Sequence, residues 1–145
     1  MMSDKDQILV QHIRDAALAI FEFVKDIDLP QFLENDLITS AVIKKFEIIG
    51  EASNKLSADF KLEHPRILWK DIVGMRNILI HDYMGVDLES VWETIHQDLI
   101  ALWEQLSDLN GSEEEISKEI VSMIEQSKAE ARRGELRPLR DLLEK

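Results

Sequence analysis

Within eight consecutive residues, Arg76, Asn77, His81 and Tyr83 bring together a guanidinium, an amide, an imidazole and a phenol. Arginine grips phosphate through two parallel N–H groups, and histidine both accepts and donates a proton near neutral pH. Those groups suffice, without a metal, for cleavage of an RNA phosphodiester by its own 2′-hydroxyl. In that chemistry His81 is general base or acid on the 2′-hydroxyl and the leaving 5′-oxygen, and Arg76 stabilises the phosphorane charge. Asn77 orients the imidazole or holds a phosphate oxygen. On a helix that turns about 100° per residue, Arg76 and Tyr83 share a face to within about 20°, and Asn77 and His81 also align. Arg76 and His81, however, stand about 140° apart. One straight helix cannot aim both at one point unless it loosens near Gly85 or two copies meet across a twofold axis. The competing reading is structural: Arg76 pairs with a carboxylate, His81 sits favourably at a helix C-terminus, and Tyr83 packs half-buried.

Other candidate sites are weaker. Glu93-x-x-His96 has the spacing of a di-iron ligand pair, but such a site needs two copies and two further glutamates. His12, His64 and His81 have no glutamate three residues before them, so the expectation is no metal site and a solvated His96. The phosphate-cradling patterns G-x-x-x-x-G-K-[ST] and G-x-G-x-x-G are missing, and no elbow motif supports a serine triad. Trp69, Trp92 and Trp103 lie on apolar stripes and read as core.

The elements that must position the cluster read as helices throughout. Ile8, Val10, Ile13, Ala17, Ile20, Phe21 and Val24 form a stripe over residues 4–25, interrupted by Arg14. Pro30 breaks that helix, a turn follows at 31–34, and a second helix is expected over 36–56, burying Leu37, Ala41, Val42 or Ile43, Ile48, Ile49 and Ala52. Gly50 inside it costs about 1 kcal/mol relative to alanine, offset by close approach of a neighbouring helix. Ser57 caps a short helix that Pro65 ends. A third long helix starts near Leu68 and carries the cluster until Gly85, and Asp87 caps a fourth that continues past Leu106. No segment alternates with period two. The reading is all-α: an up-and-down four-helix bundle over residues 1–110 with one short extra helix.

Residues 111–145 form a helical C-terminal arm in this reading. A capping box at Ser112-x-x-Glu115 opens it, Gly134 stops its helix, and Arg132, Arg133, Arg137 and Arg140 follow as four of the chain's seven arginines. The arm could steer a substrate, occlude a cleft, hold a partner or stabilise a dimer.

Composition bounds the function. The 145 residues are 45% hydrophobic and 32% charged, with 5 Gly, 3 Pro and no cysteine, which fits one folded domain in a reducing compartment. Charges interrupt every apolar run before the roughly 20 residues that a membrane span needs, and no leader is evident, so a cytoplasmic location without membrane association is expected. Net charge is −12, and about −10 of it falls on residues 1–110 because 111–145 hold 7 of the 17 basic and 9 of the 29 acidic residues. Such a surface repels polyanions, so nucleic-acid contact must rest on particular residues, and DNA is not an expected partner.

Several spaced blocks carry a resemblance: Ile48-Ile49-Gly50-Glu51-Ala52, Leu56-Ser57, His64-Pro65, Trp69-Lys70-Asp71-Ile72, Gly74-Met75-Arg76-Asn77, Ile80-His81-Asp82-Tyr83, Gly85-Val86-Asp87 and Val91-Trp92-Glu93-Thr94. Over about residues 4–109 the chain resembles the HepT toxins of the HEPN superfamily. The family signature Arg-x4-His-x-Tyr falls on Arg76, His81 and Tyr83, and the Arg-polar pattern on Arg76 and Asn77. The resemblance implies an all-helical homodimer acting as a metal-independent ribonuclease with the motif in a cleft at the dimer interface. It also implies a toxin of a type II/VII-like toxin–antitoxin pair, neutralised by an MNT-type nucleotidyltransferase antitoxin that adds AMP to Tyr83. ATP and Mg²⁺ would then be cofactors of that partner, and this chain would need none. The alternative is a catalytically idle helical module that binds a protein or nucleotide through the same residues, which the acidic charge favours.

Overall fold

A computed structural model of the chain describes residues 2–73, 87–110 and 116–134. Among these every regular element is helical, as the periodicity predicts. Helix α1 (Asp4–Val24) begins where Ser3 accepts from the Asp6 amide at 3.1 Å. It buries Val10, Ile13, Ala17, Ile20, Phe21 and Val24 at helical spacing, a face that packs along α3 (Asp36–Lys55). Each buried aliphatic or aromatic side chain contributes about 1.5–3 kcal/mol of transfer free energy, and this stripe holds the fold together. Ile8, expected in that stripe, is 57% exposed, whereas Arg14, expected to interrupt it, is 1% exposed. Its Nη1 lies 3.4 Å from Gln11 Oε1.

Residues 31–34 are not the expected turn. They belong to α2 (Leu29–Glu34), which Asp28 and Gln31 open with a reciprocal capping box at 3.0 Å in both directions. Pro30 starts this helix rather than breaking one, because the first-turn N–H that proline lacks has no acceptor inside a helix. Phe32, fully buried, sets its ring 5.1 Å from that of Trp92. In α3 the expected core residues Val42, Ile49 and Ala52 are buried along with Phe46, while Ala41, Ile43 and Ile48 are half-buried and Leu37 is 81% exposed in the first turn. Gly50 is buried.

Ser57 is the N-cap of α4 (Ala58–Glu63), as expected, and also closes the bundle end. Asp6 Oδ2 accepts from Ser57 Oγ at 2.6 Å and Oδ1 from the Ser57 amide at 3.0 Å. The start of α1 is thereby joined to the end of α3, so the two helices run antiparallel. Burial raises the Asp6 pKa, but the Ser57 hydroxyl and amide and Ser3 outweigh it, so the carboxyl is held below its ordinary value.

Helix α5 is described over 69–73. Residues 88–110 form one continuous helical rod: α6 (Leu88–Thr94), a wide π-helical turn (Ile95–Leu99) and α7 (Ile100–Asn110). Helix α8 (Lys118–Arg132) lies against the π turn and buries Ile120, Met123, Ile124 and Ser127. Its N-cap is Ser117, whose hydroxyl accepts from the Ile120 amide, so the helix does not open at the expected box; Ser112 and Glu115 lie outside the described residues. Gly134 stops α8 as expected, with φ +76, a left-handed conformation that glycine adopts without a Cβ penalty. Lys128 Nζ reaches Glu104 Oε2 at 2.7 Å, so the helical part of the arm is docked on the bundle. No helix among the described residues is long and apolar enough to cross a membrane.

Candidate functional site

Arg76, Asn77, His81 and Tyr83 lie outside the described residues, as does all of 74–86. The structure does describe the elements that flank that segment in the chain. On the approach, the 64–68 turn is closed by His64 N to Lys61 O at 3.3 Å and Ile67 N to His64 O at 3.2 Å, with Ile67 buried beneath it. Trp69 is buried with its ring 5.7 Å from Phe60, and the Ile72 amide donates to Leu68 O at 3.2 Å, the first turn of α5. Ile72 lines a small cavity of about 20 Å³ with Phe46 and Ile49 of α3 and Thr94, Asp98 and Leu102 of the long rod. The apolar pattern Trp69-x-x-Ile72 thus seats the first turn of α5 between two long helices, four residues before Arg76.

On the far side the chain becomes described again at Asp87, which caps α6 as its sequence position predicts. Asp87 Oδ1 accepts from the Glu89 and Ser90 amides at 3.1 and 3.3 Å, and Oδ2 from Ser90 Oγ at 2.7 Å. The segment bearing the guanidinium, imidazole and phenol is therefore a thirteen-residue span between a buried tryptophan turn and a fully engaged helix cap.

A model of the family described as ribonuclease HepT-like matches residues 13–109, a span that holds all four motif residues and both anchors. This chain belongs to the HepT-like ribonuclease family. Relatives of this HepT-like chain include a Methanocaldococcus jannaschii protein provisionally named an RNase, 42% identical over 99 residues that cover 68% of this chain and 91% of that one. A Thermococcus cleftensis protein named probable ribonuclease HepT is 41% identical over 100 residues, 69% of this chain and 89% of its own. A provisionally named RNase of Caldanaerobacter subterraneus subsp. tengcongensis is 36% identical over 100 residues, again 69% and 89%. No solved structure matches the chain. The α8 helix of this HepT-like protein lies beyond the matched span.

One residue expected at the surface is not there. His96 is 8% exposed, its Nδ1 lies 2.8 Å from the Trp92 carbonyl oxygen, and its ring is tilted against Trp92 at 4.2 Å. Burial pushes the imidazole below its usual 6.5, and the Trp92 carbonyl and the Glu130 carboxylate pull it part of the way back. Its sequence position carried the signal: His96 follows Trp92 by four, directly beside the apolar stripe of the rod. The Trp92 contact occupies Nδ1 of the Glu93-x-x-His96 pair, and among the described residues no three His, Asp or Glu side chains converge as metal ligands.

Proposed function

We propose that this HepT-like chain is a toxin ribonuclease that cleaves RNA without a metal, at a site built from Arg76 and His81 of two copies. Family membership over residues 13–109, with Arg76-x4-His81-x-Tyr83 intact inside that span, is the observation that carries the reading. His81 takes the 2′-hydroxyl proton, the 2′-oxygen attacks the phosphorus, and the 5′-oxygen leaves with a proton returned from an imidazolium, giving a cyclic phosphate. Arg76 carries the charge that builds on the non-bridging oxygens, and Asn77 orients His81 or holds phosphate. A twofold arrangement removes the conflict of about 140° between Arg76 and His81 on one straight helix.

Control rests on Tyr83 in this reading. Tyr83 shares the Arg76 face, so an AMP added there by an MNT-type nucleotidyltransferase antitoxin sets an anionic phosphodiester beside the arginine and fills the space RNA needs. ATP and Mg²⁺ belong to that reaction and not to RNA cleavage. Replacing Arg76 or His81 by alanine should abolish RNA cleavage and growth inhibition with helical content unchanged. Retained cleavage by pure His81→Ala refutes the assignment. Light scattering that finds a monomer at micromolar concentration sinks the composite site.

A further inference from the structure

A groove of about 690 Å³ lies where the family domain meets the helix that follows it. One wall is α8, running from Lys118 and Glu119 to Gln126 and Glu130; the facing wall is the α1–α2 turn with Lys25, Asp26 and Asp28; the floor is Trp92 and His96. The matched family span ends at 109 and α8 begins at Lys118, so one wall of the groove comes from the helix beyond that span and the rest from within it. The π turn that carries His96 is a feature that recurs at functional positions in helices.

Three properties define its occupant. A carbonyl oxygen can only accept, so the 2.8 Å contact to Trp92 puts the proton of the neutral ring on Nδ1 and the lone pair on Nε2. His96 is 8% exposed and lines the groove, and among the described residues its Nε2 meets no donor. The floor therefore presents an acceptor that no side chain among the described residues takes up, at the edge of the groove where a ligand can reach it. The charge is acidic on balance: Asp26, Asp28, Glu119 and Glu130 line the groove against Lys25 and Lys118, with Lys25 also bound to Glu22 at 2.6 Å, Asp28 capping α2 and Glu130 Oε1 accepting from Gln126 at 3.2 Å. Val24, Ile27, Met123 and the Trp92 ring supply the apolar remainder.

We infer that this groove docks a segment of a protein partner in which an arginine is flanked by aliphatic side chains, the guanidinium donating to His96 Nε2 and pairing with Glu130. Arginine suits it better than lysine because its planar fork has donors for both acceptors at once and stacks on an aromatic floor. A peptide suits it better than a small free cation because the α8 wall, at about 1.5 Å rise per residue, is roughly 18 Å long between Lys118 and Glu130. The acidic lining excludes RNA, so this docking surface stands or falls separately from the ribonuclease site.

The test titrates the full chain, labelled with ¹⁵N in histidine, with the peptide acetyl-Leu-Arg-Leu-Leu-amide and with the same peptide bearing neutral, isosteric citrulline for arginine. The arginine peptide should move the His96 Nε2 resonance saturably, and the citrulline peptide should bind about tenfold more weakly or worse. Glu130→Gln and Asp26→Asn, both conservative changes at solvent-accessible positions, should each weaken the arginine peptide about threefold or more with an unchanged circular dichroism spectrum. The inference is overturned by any of four results. These are no saturable His96 shift up to millimolar peptide, equal binding of the citrulline peptide, indifference to both variants, or a shift by free arginine amide as strong as by the peptide.

Discussion

Replacing Asp6 by alanine should unlock the end of the bundle, and the structure sets the size of the effect. Asp6 is 4% exposed and accepts two hydrogen bonds from Ser57, at 2.6 Å from the hydroxyl and 3.0 Å from the amide. Hydrogen bonds to a charged group contribute about 1.5–3 kcal/mol each, and both Ser57 donors lie at the exposed bundle end, where water can take the place of the carboxylate. A net loss of about 2–3 kcal/mol follows, a Tm drop of roughly 5–10 °C for a chain of this size. Asp6→Asn keeps one acceptor and should lose about half as much. A double-mutant cycle with Ser57→Ala, read by urea denaturation, should give a coupling of about 1–2 kcal/mol. The sign of the pH dependence is also fixed. Because the folded carboxyl is held below its ordinary 3.8, its contribution is present above that value and is lost as pH falls through the folded pKa. Asp6→Ala should therefore differ from the parent at pH 7 and converge with it in acid. A Tm within 1 °C of the parent at pH 7, or a difference that persists unchanged in acid, would refute the reasoning.

Three further outcomes are expected. His96, with its pKa lowered by burial, favours the folded state fully above 6.5 and less as pH falls through its folded value; Glu130, Glu119 and Lys118 on α8 and Lys25, Asp26 and Asp28 opposite set that field. His96→Gln should flatten the slope of urea stability between pH 7.5 and 5.5, and an unaltered slope contradicts the burial argument. Phe21→Ala removes a fully buried ring that meets Trp103 edge-on at 6.0 Å and should cost about 3–5 kcal/mol in the same assay, so a loss under 1 kcal/mol would mean the core collapses freely there. Mass spectrometry after co-expression with a nucleotidyltransferase partner should find AMP on the peptide containing Tyr83, and an unmodified peptide ends the regulatory proposal.

Where a helix begins and ends was largely legible. Ser57, Asp87 and Gly134 announce cap and stop chemistry through side chains that can do little else at those positions, and the apolar stripes of α1 and the 88–110 rod follow from spacing. Pro30 misled because a proline starts a helix as readily as it breaks one, and only the Asp28–Gln31 box decides between the two. Ser117 was overlooked because the stronger pattern Ser112-x-x-Glu115 stands five residues earlier. Arg14 and His96 read as polar faces since binary patterning scores residue type, whereas their burial depends on which neighbours the tertiary packing supplies. The wide turn at 95–99 has no local sequence signal of its own. For the site, the spacing of Arg76, His81 and Tyr83 already posed the geometric problem that the proposed twofold arrangement answers, and Asp87 already read as a cap, while the seat of Ile72 between α3 and the long rod became visible only in the fold.

The central claim is tested most directly by incubating RNA with the partner-free protein in EDTA and analysing the ends of any fragments. The account predicts chelator-resistant cleavage that leaves cyclic phosphate ends and disappears in His81→Ala; cleavage that EDTA stops, or that His81→Ala retains, would contradict it.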